Sequence, residues 1–231
     1  MSVSPHAGEV VAPHPERNGT ARHERNAEGT KRRLLLAAEI EFAAKGFDGA
    51  RLGNIAPAAG VQQALIHHYF DDKEGLYREV LSRGLAAVTE ESWDILAREG
   101  AGTMEALCRA FVESLVRFYS THRSLLAILR HEANSDEESA GGHTVHEMVV
   151  STVRPVFEAA AARIEELKGR GEVAPGVDAR RLCLSVVAMA IFPFQEEKFL
   201  AALWPIDFSD PAVLEAHKRE IVETVLARAK R

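Results

Sequence analysis

The chain has little cysteine, no long apolar run and no alternating strand pattern, and each shortage removes a class of protein. Only two of its 231 residues are cysteine. Cys108 and Cys183 each sit inside an apolar helical pattern, which speaks against a disulfide scaffold or a redox switch and predicts two buried free thiols. No apolar stretch approaches the ~20 residues that a membrane-spanning helix needs. The N-terminus is polar and charged through Arg33 and lacks the apolar segment of a secretory signal, so a cytoplasmic protein is expected. Val, Ile, Thr and aromatic residues nowhere alternate with polar ones between turn signals, and no internal repeat is visible, so the predicted fold class is all-α. A Gly-rich phosphate loop, a nucleophile elbow, the HExxH spacing and paired cysteines are all missing, and no enzymatic activity is expected.

With 46% hydrophobic content over 231 residues, the chain can bury one large core or two modest ones. A net charge of -6 is not that of a protein basic throughout, but the charge is unevenly laid out. Between residues 17 and 33, Arg17, Arg22, Arg25, Lys31, Arg32 and Arg33 face only Glu24 and Glu28, whereas acidic residues dominate after Glu90. A positive arm therefore precedes an acidic body. Residues 1–25, with Pro5, Pro13 and Pro15 among Gly, Ser, His and charged residues, carry no periodic apolar pattern and read as a disordered arm.

A first helix follows, with Thr30 as its cap, Leu34, Leu35, Ala38 and Phe42 at three- and four-residue spacing, and Gly46 as its stop. Lys31, Arg32 and Arg33 would occupy its first turn, where cations oppose the helix dipole by a few tenths of a kcal/mol each. Local stability gives no reason for three cations there; contact with phosphate does, against the plainer reading of a solvated face. A short second helix from Leu52 to about Ala59 ends at Gly60, and a third begins with Gln62, which together suggest helix-turn-helix geometry. On the third helix Ile66 and Phe70 would face the core with Ile55 and Val61, leaving Gln63 above His67, and Ala64 above His68, on the outward rows. Glutamine can bond bidentately to adenine, imidazoles can reach bases or phosphates, and a small Ala64 lets the helix approach closely. The plainer reading of the same pattern is a wet surface. Asp72 can cap a fourth helix, whose free amides and Lys73 ammonium are placed for a phosphate, with the Tyr69 hydroxyl on the approach.

Three segments in order, LLAAEIEFAAKGFDGA, NIAPAAGV and LIHHYFDDKEGL, make Thr30 to Val80 resemble the N-terminal DNA-binding domain of the TetR/AcrR family of bacterial transcriptional regulators. The resemblance implies a three-helix DNA-binding unit on a longer helical ligand-binding and dimerisation domain, usually repressing until a small molecule binds. By position it puts Gln62, Gln63, Ala64, His67 and His68 on bases or nearby backbone, and Tyr69 and Lys73 on phosphates. The chain departs from the family pattern at three places. Ala50 and Arg51 stand where Ser or Thr usually caps the second helix. Pro57 lies inside that helix, removing a donor and crowding the Gly53 carbonyl, which predicts a bent or late-starting helix. Leu65 replaces a small polar residue and either meets a thymine methyl or packs inward.

The domain organisation read from the sequence is an arm over 1–25, a helix-turn-helix unit over 26–76, and an effector-binding and dimerisation domain over 77–231, with about nine helices in all. The fourth helix runs to about Arg98, Thr103 caps a fifth, a sixth covers 124–133, and 134–142 form a loop. A seventh reaches about Lys168 with a kink at Pro155, Asp178 opens an eighth interrupted at Pro193, and Pro211 opens the last. Leu182, Val186, Met189, Ile191, Phe192 and Phe194, with Val213, Ile221, Val225 and Leu226, exceed one apolar stripe and suggest a four-helix dimer interface, against the plainer reading of a thick monomer core. A two-fold dimer suits a palindromic operator, since its recognition helices must enter major grooves about 34 Å apart. Trp93, Phe111, Phe118, Tyr119, Leu125, Ile128, Leu129, Met148, Phe157 and Phe192 are candidate pocket residues, although an ordinary core would show the same set. Arg117, His122, Arg130 and His131 could add a polar contact to an apolar or amphipathic effector. No cofactor is expected. The sequence thus predicts a homodimeric repressor, cytoplasmic and nucleoid-associated when bound to DNA. The alternative is a metal sensor or helical enzyme built on His143, His146 and Glu147, joined by His131 and Glu132.

Overall fold

Eleven α-helices and one π-helical turn make up the computed structural model, which describes residues 16–98, 102–133 and 140–230; no strand occurs among them. Helix α1 spans Glu16–Gly49. It begins well before Thr30, so Thr30 is an interior residue rather than a cap, and its hydroxyl accepts from Arg33 Nη2 at 3.3 Å. The Glu, Arg and Ala content of 16–29 supports helix without any apolar stripe, and composition alone does not register that. Lys31, Arg32 and Arg33 consequently lie inside a helix, where the dipole argument for a first turn does not apply. The rest of the expected arm, residues 1–15, falls outside the described residues.

Gly46 breaks α1 with φ 66 and ψ -179, backbone angles that belong essentially to glycine. Helix α2 (Leu52–Ala58), α3 (Ala64–Phe70) and α4 (Lys73–Arg98) follow. Leu34, Ala38, Phe42, Ile55, Ile66, Phe70, Leu76, Tyr77 and Leu81 bury against one another as the core of this first unit. Each fully buried Leu, Ile or Phe contributes about 1.5–3 kcal/mol relative to its exposed state.

The body holds α5 (Met104–Thr121), α6 (Arg123–Ala133), α7 (Ala140–Met148), α8 (Arg154–Gly169), α9 (Ala179–Gln195), α10 (Glu197–Leu203) and α11 (Pro211–Ala229). Two expected helix starts hold, Thr103 accepting from the Ala106 amide and Asp178 from Arg181, and Pro211 opens α11 as expected, with Asp210 before it accepting from Ala212. The single seventh helix of the sequence reading is instead α7 and α8 joined by a π-helical turn at Val149–Val153. The wide turn lies immediately before Pro155, where the ladder loses a donor. Pro193 does not interrupt α9, which continues to Gln195, and α10 was not expected. Of the expected loop, 134–139 fall outside the described residues and 140–142 belong to α7.

A second core, containing Ile95, Leu107, Val112, Leu115, Leu167, Leu182, Ile221 and Val225, fills the body. Three helices serve both cores, α5 giving Phe118 to the first and Leu107, Val112 and Leu115 to the second. Helix α4 gives Leu76 and Leu81 to the first and Ile95 to the second, and α6 gives Leu125 and Ile128 to the first and Leu126 to the second. No described helix is long and apolar enough to cross a membrane.

Candidate nucleic-acid interface and interior cavity

The turn between α2 and α3 is closed by backbone bonds. The Val61 amide donates to the Ala56 carbonyl at 3.0 Å and the Gly60 amide to the Pro57 carbonyl at 3.0 Å, with Gly60 at φ 68. This is the paired arrangement by which a left-handed glycine satisfies the last carbonyls of a helix. Arg33 Nε adds a bond to the Ala59 carbonyl at 3.2 Å. At the other end, Arg51 provides no side-chain cap for α2. Glu41 of α1 takes that place: its carboxylate accepts from the Arg51 amide at 3.3 Å and from Asn54 Nδ2 at 2.8 Å. The helix neither stops nor starts late at Pro57, because Pro57 and Gly53 are both exposed and the freed carbonyl faces water rather than the core.

Helix α3 begins at Ala64 rather than Gln62. Its outward surface carries Gln62, Gln63, Ala64, His67 and His68, all exposed, while Ile66 and Phe70 are buried. Leu65 is half-buried and packs against the first core, so of its two readings the inward one holds. The His67 ring is oriented: Nδ1 donates to the Asp71 carbonyl at 2.9 Å, which turns Nε2 outward and, in the neutral ring, makes it an acceptor. Asp71 itself has φ 66 and ψ -58, a γ-turn conformation with positive φ, closed by the Asp72 amide donating to the Phe70 carbonyl at 2.8 Å. It swings the chain into α4, where Asp72 caps by accepting from the Gly75 amide at 2.8 Å.

The cations divide. Arg32 is exposed and beside the groove lined by Leu35, Leu36, Glu39 and Arg83. Lys31 lies 5.7 Å from the Phe70 ring centroid and 3.7 Å from Glu79. Lys73 turns back on α1, donating to the Asp48 carbonyl at 3.2 Å with its ammonium 4.6 Å from the Phe47 ring centroid. Arg33 and Lys73 therefore hold the unit together from within, in addition to any role toward phosphate. Tyr69 is half-buried, its ring edge-on to His68 at 4.9 Å.

In the body, one cavity of about 80 Å³ lies between α4, α5, α8, α9 and α11, lined by Met104, Phe111, Phe157, Leu182, Val186 and both cysteines. Ser92 also lines it, but its hydroxyl already donates to the Val88 carbonyl at 2.7 Å. No charged side chain lines it. Burial pushes the Cys108 thiol up to about 12 and the Cys183 thiol to about 11, so both stay protonated near neutrality. Of the expected pocket residues only Phe111 and Phe157 reach this cavity. Phe118, Leu125, Ile128 and Met148 are in the first core with Leu129 against them, Tyr119 is half-buried beside both cores, and Trp93 and Phe192 are 45% and 47% exposed. The polar candidates also point elsewhere. Arg117 pairs with Glu91, His122 bonds to the Phe118 carbonyl, and Arg130 and His131 bond to Gln195 and Ala43.

The expected dimer residues divide between the protomer's own core and its surface. Leu182, Ile221 and Val225 are in the body's own core, and Val186, Met189 and Val213 are partly buried against it. Helices α9 and α11 pack on α5 and on each other within one protomer, which encloses Leu182, Ile221 and Val225 and leaves Val186, Met189 and Val213 partly accessible. What α9 leaves outside is Leu184, Ala188 and Phe192, one turn apart each, and beyond it Phe199, Leu203 and Trp204 are also exposed.

His217 on α11 donates to the Met189 carbonyl on α9 at 3.1 Å, and burial holds its imidazole below its ordinary value of 6.5. The folded protein thus keeps this ring neutral more readily than the unfolded chain does. Its contribution is present above the ordinary value and is lost as pH falls below it. Between about pH 7.5 and about pH 5.5 the wild type is expected to lose more unfolding free energy than His217→Gln, as measured by denaturant titration. Equal losses would show that His217 does not carry this dependence.

Of the residues of the metal alternative, His143 and His146 are exposed on α7, and the other three are engaged elsewhere. Glu147 pairs with Arg78 at 2.7 Å, Glu132 accepts from the Phe47 amide and His131 bonds to Ala43. Among the described residues no group of three His, Cys, Asp or Glu is placed to hold a metal.

A three-helix unit with a helix-turn-helix, set on an all-helical body, defines a DNA-binding transcriptional regulator. Residues 34–80 match the bacterial regulatory proteins of the tetR family, and residues 104–225 match the tetracyclin repressor-like C-terminal domain. The chain belongs to the TetR family. It is 28% identical over 170 residues to the HTH-type transcriptional repressor SCO4008 of Streptomyces coelicolor, covering 72% of this chain and 79% of that protein. To the HTH-type transcriptional regulator YdgC of Bacillus subtilis it is 29% identical over 101 residues, 43% of this chain and 52% of that one, so the chain spans about half the length of that relative. The fold is shared with the transcriptional regulator FadR of Bacillus subtilis, solved in complex with stearoyl-CoA, at a TM-score of 0.64 and 15% identity, covering 85% of this chain and 97% of that one.

Proposed function

We propose that this regulator represses transcription by binding a palindromic operator as a homodimer, and that a compact apolar molecule releases it. The observation that carries the reading is the outward face of α3, where Gln62, Gln63, Ala64, His67 and His68 are exposed together while the helix is anchored beneath by Ile66 and Phe70. Gln63 and His67 read base edges, Ala64 permits close approach, and Gln62 and His68 flank them. Arg32, Tyr69 and the first amides of α4 meet phosphate, with Lys31, Arg33 and Lys73 adding positive potential as they brace the fold.

The second copy docks on the exposed stripe of Leu184, Ala188 and Phe192 on α9, giving a self-complementary two-fold contact. The cavity lining, apolar and uncharged, favours a neutral effector. Such a ligand acts by binding one arrangement of the body better than another, which shifts the spacing of the recognition helices.

The test is DNA-binding anisotropy across a salt series, on a duplex selected by the purified protein, with sedimentation to count protomers. Two protomers per duplex and an affinity that falls steeply with salt are expected, the log–log slope being about −0.9 per phosphate contacted. A panel of neutral compounds from benzene to naphthalene in size is expected to contain members that weaken binding. Tight salt-sensitive binding that no member alters would leave a DNA-binding regulator without this switch, and a monomer on DNA would remove the palindrome.

A further inference from the structure

The break in α1 leaves two backbone groups that a continuous helix would join, since the Phe47 amide would bond to the Ala43 carbonyl four residues back. Helix α6 of the body supplies both partners from consecutive residues. Glu132 Oε1 accepts from the Phe47 amide at 3.2 Å, and His131 Nε2 donates to the Ala43 carbonyl at 3.2 Å. The Glu132 carboxylate is buried, 8% exposed, so the bond it makes is sheltered from water and its loss would strand a buried donor. Gly46 is what lets the two helices meet this closely: a Cβ built there would stand 3.3 Å from the Cβ of His131.

The joint reaches the rest of the unit through rings. Phe47 and Tyr77 lie 5.0 Å apart, and Tyr77 is edge-on to Phe42 at 4.8 Å. Burial and then the Glu132 carboxylate push the Tyr77 phenol far above its ordinary range, which puts Glu132 beside α4 as well as α1. On the other side, Arg130 donates from Nη1 to the Gln195 carbonyl at the end of α9 at 3.1 Å. Three successive residues of α6 thus tie the last turn of α9, a cavity-lining helix, to the break in α1.

We propose that His131 and Glu132 are positioning residues that splice α6 into the break of α1 and thereby fix the angle at which the DNA-binding unit sits on the body. Neither residue touches DNA. Their effect reaches it as the separation of the two recognition helices, so the proposal rests on the dimeric operator reading above. An unsatisfied Phe47 amide lets the unit swing, and a swinging pair of units accepts half-sites at more than one spacing.

The experiment is selection from a randomised duplex library by full-length wild type, Glu132→Ala, Glu132→Gln and His131→Ala, followed by affinity measurement on the wild-type consensus. Glu132→Ala is expected to keep the half-site sequence, broaden the half-site spacing and bind the consensus about ten-fold more weakly. Glu132→Gln retains an acceptor oxygen and is expected to restore the single spacing. A role confined to overall stability would lower affinity without moving the spacing. Unchanged spacing in Glu132→Ala overturns the proposal, as does a broadened spacing that glutamine fails to restore. Should Glu132→Ala not fold, His131→Ala decides by the same criterion, because His131 is exposed and its loss leaves the core intact. A wild type that selects single half-sites would overturn the dimeric reading instead, and the splice would then stand or fall on the affinity of Glu132→Ala against Glu132→Gln.

Discussion

Phe42→Ala is expected to destabilise the DNA-binding unit by about 3–5 kcal/mol, enough to abolish DNA binding at ordinary temperature. The ring has no exposure and packs edge-on against Tyr77 at 4.8 Å and parallel to Phe47 at 6.4 Å. Truncation removes apolar surface and leaves a cavity among α1, α3 and α4 that cannot collapse, because Gly46 and the α6 contacts hold the surrounding backbone. Both tryptophans, Trp93 and Trp204, belong to the body, on α4 beyond the first core and after α10. Their fluorescence therefore reports the body, while loss of far-ultraviolet helicity at lower temperature reports the first unit. The expected pattern is an early helical transition with the tryptophan transition little moved. A shift below about 1 kcal/mol would mean the small core closes around the missing ring.

The second large effect concerns recognition rather than stability. Gln63→Ala and His67→Ala are each expected to remove roughly 1–3 kcal/mol of discrimination at one base position while leaving affinity for unrelated DNA nearly unchanged. For His67 the orientation makes the expectation sharper. With Nδ1 committed to the Asp71 carbonyl, the neutral ring offers an acceptor, which suits the exocyclic amino groups of adenine or cytosine rather than guanine O6. Arg32→Ala should behave differently, weakening all sequences alike and reducing the salt slope by about one. Position-by-position affinity measurement on single-base variants of the selected duplex separates the two behaviours. If Gln63→Ala left every position as discriminating as before, Gln63 would not be a reader.

Helix ends were legible because caps are local. Thr103 and Asp178 satisfy amides three residues away, Pro211 stands at the start of α11, and Gly46 and Gly60 adopt conformations that other residues resist, so a sequence window contains both partners. Long cations were not legible for the opposite reason. Arg33, Lys31 and Lys73 choose among the Ala59 carbonyl just after α2, a ring of α3 and a carbonyl of α1, partners that only the fold assembles. Glu41 replaced a missing cap from another helix, which no scan of α2 could find. On α9 nearly every position is apolar, and periodicity cannot say that Leu182 turns inward and Leu184 outward. The cavity was harder still, since lining and core residues have the same chemistry and differ only in where packing leaves a gap. Of the three histidines and two glutamates grouped as a metal alternative, three take another role: His131 and Glu132 join the body to the DNA-binding unit, and Glu147 pairs with Arg78 across the same junction.

The most direct test of the whole account is capture of genomic DNA by the purified full-length protein, sequenced and searched for a shared site. One palindromic motif is expected, with half-site centres about 10 base pairs apart, or a multiple of that, lying over promoters. Enrichment of unrelated sequences, or of a motif without two-fold symmetry, would contradict it.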